Sequence, residues 1–323
     1  MEEPVTQQLL TEPPRTLHLL ELFMEDCRDR QLTEETIRRY RSSIKQYLAF
    51  LKKSGVSLLG VDKHVSHDYI HERRQHGMNQ KTLENDLSGI AALYGYLVFE
   101  DHMEKNPVPE VRKRYLRRYK QEKDADEESP RKLLTVEQMS FLINSIIETR
   151  DKAILALLAK TGVRRGELIA VDVIDMNWVD QSITLKRLRF KKRSGRTVFF
   201  DDETARVLKR WLSQRQRLNP QTPALFVGEH GKRLKRNGVY SLVVKHAERV
   251  SLHDSSSPRP EDHLSPHCFR HWFTTHLRRA GMDREFIKAL RGDRRREAID
   301  IYDRIDRNEL KRAYLAYIPQ LGI

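Results

Sequence analysis

Between residues 16 and 100 the apolar residues fall at helical spacing, which limits the first third of the chain to an all-helical unit. Leu17, Leu20, Phe23 and Met24 mark one helix. A second lies in TEETIRRYRSSIKQYLAFLKKSG, where Thr33 suits the N-cap, Glu34 and Glu35 the first turn, and Gly55 the stop. Its apolar face is Ile37, Tyr40, Ile44, Tyr47, Leu48 and Leu51, and Arg38, Arg39, Arg41 and Lys45 fall largely off it. A third helix is expected from near Ser66 to Gly77. A fourth is expected from about Asn79 to Phe99, with Leu83, Leu87, Ile90, Leu93, Tyr94 and Leu97 on one side. The stripes read as the core of a small four-helix domain.

Pro107 and Pro109 are expected to end that fourth helix. A basic run then gives way to the acidic stretch from Asp124 to Glu128, which reads as an interdomain linker. The expected layout is an N-terminal tail over 1–15, a helical domain over 16–111, a linker over 112–132 and a second domain over 133–323. Thr135 and Gln138 form a capping box at the opening of the second domain. A buried helix follows, with a turn at Thr161-Gly162. Ile183 and Leu185 face Val198 and Phe200 across a bend at Ser194-Gly195, the pattern of a β-hairpin. Helices over DETARVLKRWLSQRQRL, VYSLVVKHAERV, HCFRHWFTTHLRR and DREFIKALRGD, with a short strand at ALFV, complete a mainly α, α+β chain with a small antiparallel sheet.

The chain has 323 residues, 60 Lys and Arg against 46 Asp and Glu, and a net charge of +14. Such an excess implies a polyanionic partner, nucleic acid first and an anionic membrane surface a distant second. There is no run of about 18 apolar residues, so no membrane span is expected. The two cysteines, Cys27 and Cys268, fall in different expected domains, so no disulfide framework is expected and a reducing cytoplasm fits. That compartment also disfavours reading Arg291-Gly292-Asp293 as an adhesion tripeptide.

Three basic clusters stand out: Arg112 to Arg118, Lys186 to Arg196, and Lys232 to Arg236. Gathered around one groove they would supply salt-sensitive binding of duplex DNA, with Arg112, Arg114, Arg117, Lys192, Arg193, Lys232 and Arg233 as candidate backbone contacts. His267, Arg270 and His271 share one face of a helix start. A metal pair of the two histidines lacks an evident third ligand, so no metal and no cofactor are expected. An arginine fork beside imidazole donors instead suits a phosphodiester and its pentavalent transition state.

TGVRRGEL, PHCFRHWFTTHL and GDRRREAIDIY, in this order, resemble the catalytic boxes of the tyrosine recombinase (integrase) superfamily, and the helical N-terminal part resembles that family's core-binding domain. The resemblance implies a DNA strand-breaking and rejoining enzyme, independent of metal and ATP, that works through a 3′-phosphotyrosyl intermediate. It implies Arg164 and Arg270 as the phosphate-holding arginines, Glu167 and His271 as supporting residues, Lys191 as the acid (with Lys192 competing), His267 as the histidine of the His-x-x-Arg pair, and Tyr302 as nucleophile. It further implies paired DNA half-sites, self-association on DNA from dimer to tetramer, and action at the nucleoid of a prokaryote or on viral or plasmid DNA. Two rival classes share the constellation: a DNA-binding protein of this fold without turnover, and a type IB topoisomerase.

One position departs from the family pattern. Nine residues ahead of Tyr302, where the family usually carries histidine, stands Asp293. Losing a charge-assisted hydrogen bond there costs roughly 1.5–3 kcal/mol, about one to two powers of ten in rate. Two readings of Asp293 stand. It orients Arg270 or a neighbour while Arg291 or Arg294 contacts the phosphate, or it weakens the site. For the C-terminal segment, Leu310, Tyr314 and Leu315 either pack on their own domain or dock on a neighbouring protomer.

Overall fold

The computed structural model describes residues 14–116, 132–186, 195–228, 230–293 and 305–323. The chain divides into two compact units, residues 1–124 and 125–323. No described helix is long and apolar enough to cross a membrane.

The first unit holds α1 (Pro14–Asp29), α2 (Glu34–Lys53), α3 (Lys63–Gln75), α4 (Gln80–Phe99) and α5 (Val108–Tyr115). The expected cap forms at Thr33, whose hydroxyl accepts from the Thr36 amide, and Asn79 caps α4 in the same way. The third helix begins three residues before Ser66, at Lys63, because the Asp62 carboxylate accepts from the His64 and Val65 amides. The prolines do not end the fourth helix, which stops at Phe99; they open a fifth. Pro109 stands in the first turn of α5, where its missing N–H costs nothing, and the Asn106 side chain accepts from the Val108 amide. Val108, Val111 and Leu116 are buried in the same core as Phe23, Tyr47, Leu87 and Leu93. Residues 112–115, which fall in the expected linker, are helical, and 113–115 are exposed.

In the second unit α6 (Val136–Asn144) carries the Thr135–Gln138 capping box. It leads into α7 (Thr149–Thr161), in which every residue from Ala153 to Thr161 is buried. Such a helix has no solvent face, and α9 (Asp202–Leu218) and α11 (Pro266–Arg279) pack on it. Next come α8 (Arg165–Ala170), β1 (Met176–Asn177), β2 (Ser182–Leu185) and β3 (Arg196–Phe199), which form an antiparallel sheet in the order β1-β2-β3. The hairpin pairs Ile183 with Val198 and Leu185 with Arg196; β1 is a third, unanticipated strand. ALFV is not a strand: Ala224 and Val227 make only isolated bridges, to Asp172 and Arg233. α10 (Arg236–Arg249), α12 (Arg284–Arg291) and α13 (Arg307–Tyr317) complete the unit.

The C-terminal segment packs on its own unit. Tyr314 is fully buried and its hydroxyl donates to the Lys160 carbonyl, while Ile318 and Leu321 lie in the core and Leu315 stays exposed.

Candidate active site

The turn after α7 begins the site. Gly162 takes the left-handed conformation, φ +58°, and a β-carbon there would lie 2.5 Å from the Phe273 ring. Only glycine meets both demands, so α7 ends with its last turn pressed on α11. The chain then presents Arg164 as N-cap of α8. Glu167 folds back, accepting from the Arg164 amide at 2.8 Å and from its guanidinium at 3.1 Å.

Arg270 reaches the same place from α11. It is only 3% exposed, and its two Nη atoms donate to the carbonyls of Gly162 and Arg291, each at 2.8 Å. Burial, with repulsion from Arg164 and Arg291, pulls this guanidinium down to about 9, opposed by Asp293. It stays charged at neutral pH.

The third contributor is the end of α12. Gly292 is left-handed, φ +63°, and the Arg196 guanidinium lies where its β-carbon would be. The turn places Asp293 against both arginines: Oδ1 accepts from Arg270 Nη2 at 3.1 Å and lies 3.4 Å from Arg164 Nη2. Arg291 Nε lies 3.2 Å from Oδ2, within ion-pair distance but outside hydrogen-bond geometry. The Arg291 carbonyl also accepts from both Arg164 and Arg270.

Arg196 ties the pieces together. Its guanidinium grips both Glu167 oxygens, at 3.0 and 2.9 Å, and its Nε donates to the Leu290 carbonyl at 2.7 Å. Burial raises the Glu167 carboxyl, but Arg196 and Arg164 outweigh it and hold the group at about 2. Among the described residues, four guanidiniums (Arg164, Arg196, Arg270, Arg291) thus face two carboxylates, Glu167 and Asp293. The cation surplus opens on a cavity of about 460 Å³ lined by Arg164, Arg165, Arg236, Tyr240, His267 and Arg270. Such a place seeks an anion.

The structure thus brings together Arg164, Glu167, Arg270 and Asp293, with His267 at the cavity edge and His271 half-buried one turn further along α11. Lys191, Lys192, Arg193, Tyr302, Arg294 and Arg117 lie outside the described residues.

The basic clusters divide. Arg112 and Arg114 are on α5 in the other unit, and Lys232 is exposed. Arg233 is committed inward: it pairs with Asp172 and donates to the Ile169 carbonyl at 2.7 Å. It fastens a loop, and its side chain stays 36% exposed. Lys186 likewise pairs with Asp172 and Asp175. Sequence reasoning missed Arg196 as a positioning residue, since a basic run on a hairpin looks solvated until the strand register turns one member inward. Alternation from the buried Val198 was the available signal.

Residues 132–309 match the phage integrase family, and residues 20–101 match the phage integrase N-terminal SAM-like domain. The tyrosine recombinase XerC of Pseudomonas aeruginosa is 28% identical over 305 residues, 91% of this chain and 92% of that protein. The Tn1549 transposon integrase, solved in complex with a circular intermediate DNA, superposes with a TM-score of 0.64 at 16% identity, covering 93% of this chain and 94% of that one. The XerH site-specific recombinase bound to palindromic difH substrate gives 0.62 at 18% identity, over 87% and 76%. These two likenesses show the shared fold. With more than half its length matched to one family, a two-unit helical architecture and an arginine-rich cavity at the matched boxes, this chain belongs to the phage integrase family.

Proposed function

We propose that this protein is a site-specific tyrosine recombinase that cuts and rejoins duplex DNA through a covalent 3′-phosphotyrosyl intermediate. The observation that carries the reading is the convergence of Arg164 and Arg270, from two separate elements, on one cavity beside His267. Two guanidiniums neutralise the nonbridging oxygens as charge builds on phosphorus. His267 adds an imidazole donor, His271 supports the helix start, and Glu167 with Arg196 fixes the approach of Arg164.

A tyrosine hydroxyl, with a pKa of about 10, needs positive potential to attack at neutral pH, and the cation surplus supplies it. In this reading Tyr302 gives up its phenolic proton to solvent, attacks phosphorus and forms the phosphotyrosyl bond. The P–O bond to the leaving 5′-oxygen breaks, and Lys191 protonates that oxygen. The 5′-hydroxyl of a second strand reverses the step, so the phosphodiester is restored with no external energy source. Of the relatives named above two are recombinases and one is a transposon integrase, and two were solved on DNA, in keeping with a partner of this kind.

In the same reading, residues 16–111 form the core-binding domain and 133–323 the catalytic domain, after an N-terminal tail and around a linker over 112–132. The exposed Lys232 and the α5 arginines track the DNA backbone. The chain acts on paired half-sites as a dimer to tetramer, in the cytoplasm at the nucleoid or on viral or plasmid DNA. Asp293 between the arginines favours one second reading, a DNA-binding protein with weakened turnover. One experiment decides between the two. Duplexes selected from a random pool by binding are nicked near the centre and incubated with the full chain, and the products are run on a denaturing gel. A covalent adduct absent from Tyr302→Phe supports recombination; binding without adduct leaves the non-cleaving protein.

A further inference from the structure

Arg164 and Arg270 already share an acceptor within the chain. Arg270 Nη2 and Arg164 Nη2 both point at one oxygen, Asp293 Oδ1, at 3.1 and 3.4 Å. A single acceptor oxygen shared by two guanidiniums is the arrangement a nonbridging phosphate oxygen would adopt there. A carboxylate and a phosphodiester oxygen cannot share those donors, because two anions about 3 Å apart repel strongly in a partly buried site. The carboxylate also has a place to go. Its other oxygen lies 3.2 Å from Arg291 Nε, a buried donor with no hydrogen-bond partner among the described residues.

The geometry points to Asp293 as an internal anion that stands where a phosphate oxygen would sit on Arg164 and Arg270. A DNA phosphodiester enters by taking Arg164 and Arg270 from it, and the carboxylate turns onto Arg291. The inference rests on the proposed reading that these arginines hold a phosphodiester. It goes beyond that reading by making Asp293 a gate on substrate entry. No bond is made or broken in the exchange; one anion replaces another on the same donors.

Inorganic sulfate, a tetrahedral anion whose charge does not change near neutral pH, is the probe. It is titrated into the full chain at constant ionic strength and read as the rise in melting temperature. General stabilisation by sulfate acts on every variant alike and cancels in the comparison. Asp293→Asn should bind sulfate about ten- to a hundredfold more tightly than the parent, since a competing charged acceptor is gone. Asp262→Asn, which removes the same charge outside this cluster, should change little. Arg291→Ala should weaken sulfate binding in the parent and much less in the Asp293→Asn background, because the carboxylate then has no second partner. Arg164→Ala should remove the enhanced binding. If Asp293→Asn binds no tighter while Arg164→Ala still loses sulfate, the cradle stands and the gate is wrong. If Arg164→Ala binds as the parent does, the arginines are no anion site and the proposed function fails with it.

Discussion

Two of the buried ion clusters among the described residues of the second unit are built to opposite rules. At Lys160, fully buried in α7, one ammonium meets Asp201 and Glu203, both at 2.6 Å, and the Pro319 carbonyl at 2.7 Å. The surplus there is negative, and it is absorbed locally. Glu203 accepts from the Leu321 and Gly322 amides, and Asp201 from Thr204. Around Arg164 and Arg270 the surplus is positive and faces a cavity. The first cluster closes on itself and fastens the C-terminal segment. Among the described residues the second leaves charge unmatched at an opening, where the proposed reading places an incoming anion. Buried charge alone therefore does not mark a functional site; uncompensated charge beside space does.

The largest test breaks the closed cluster. Lys160→Ala leaves two carboxylates buried without their cation and should cost about 3–5 kcal/mol of stability in urea unfolding. A loss of under about 1 kcal/mol would mean that the triad is not closed as described. In the open cluster the effect should fall on rate. Arg270→Ala should lower adduct formation by about 10²–10³-fold per folded molecule, with destabilisation from the lost contacts to Gly162 and Arg291 read separately by melting.

Acid weakens both clusters: burial raises the carboxyls of Asp201 and Glu203, but Lys160 outweighs it and holds them below their ordinary values. The Glu167 carboxyl falls from 4.5 unfolded to about 2 folded, so its stabilisation is complete above about 4.5 and is lost as pH drops toward 2. At about 1.4 kcal/mol per unit this amounts to about 3 kcal/mol, and Glu167→Gln should flatten that limb of the stability profile. The smallest effect concerns the departure from the family pattern. Asp293→His should leave adduct formation intact or speed it, by up to about one or two powers of ten. A total loss of cleavage in that variant counts against the reading.

The helices of the first unit were legible because each carries a stripe at one spacing and a cap of one residue type, as at Thr33 and Asn79. The fifth helix was not. A proline signals either an end or a beginning, and only the burial of Val108 and Val111 decides which. Within the site, Arg164, Glu167 and Arg270 could be named from local motifs. Arg196 could not, because its partner Glu167 lies 29 residues away. Arg291 was read only as a candidate phosphate contact, whereas its carbonyl accepts from Arg164 and Arg270 and its guanidinium pairs with Asp293. The same limit hid the bonds of Arg233, whose acceptors are 61 to 64 residues distant.

The sequence alone determined the helical class, the basic balance, the order of the motif boxes and the carboxylate at position 293, since these depend on residue type and short spacing. The tertiary structure alone decided which cations turn inward, how the C-terminal segment is fastened, and that Asp293 rests on both arginines. Those outcomes depend on distances between residues far apart in the chain, and electrostatic energy follows distance in space.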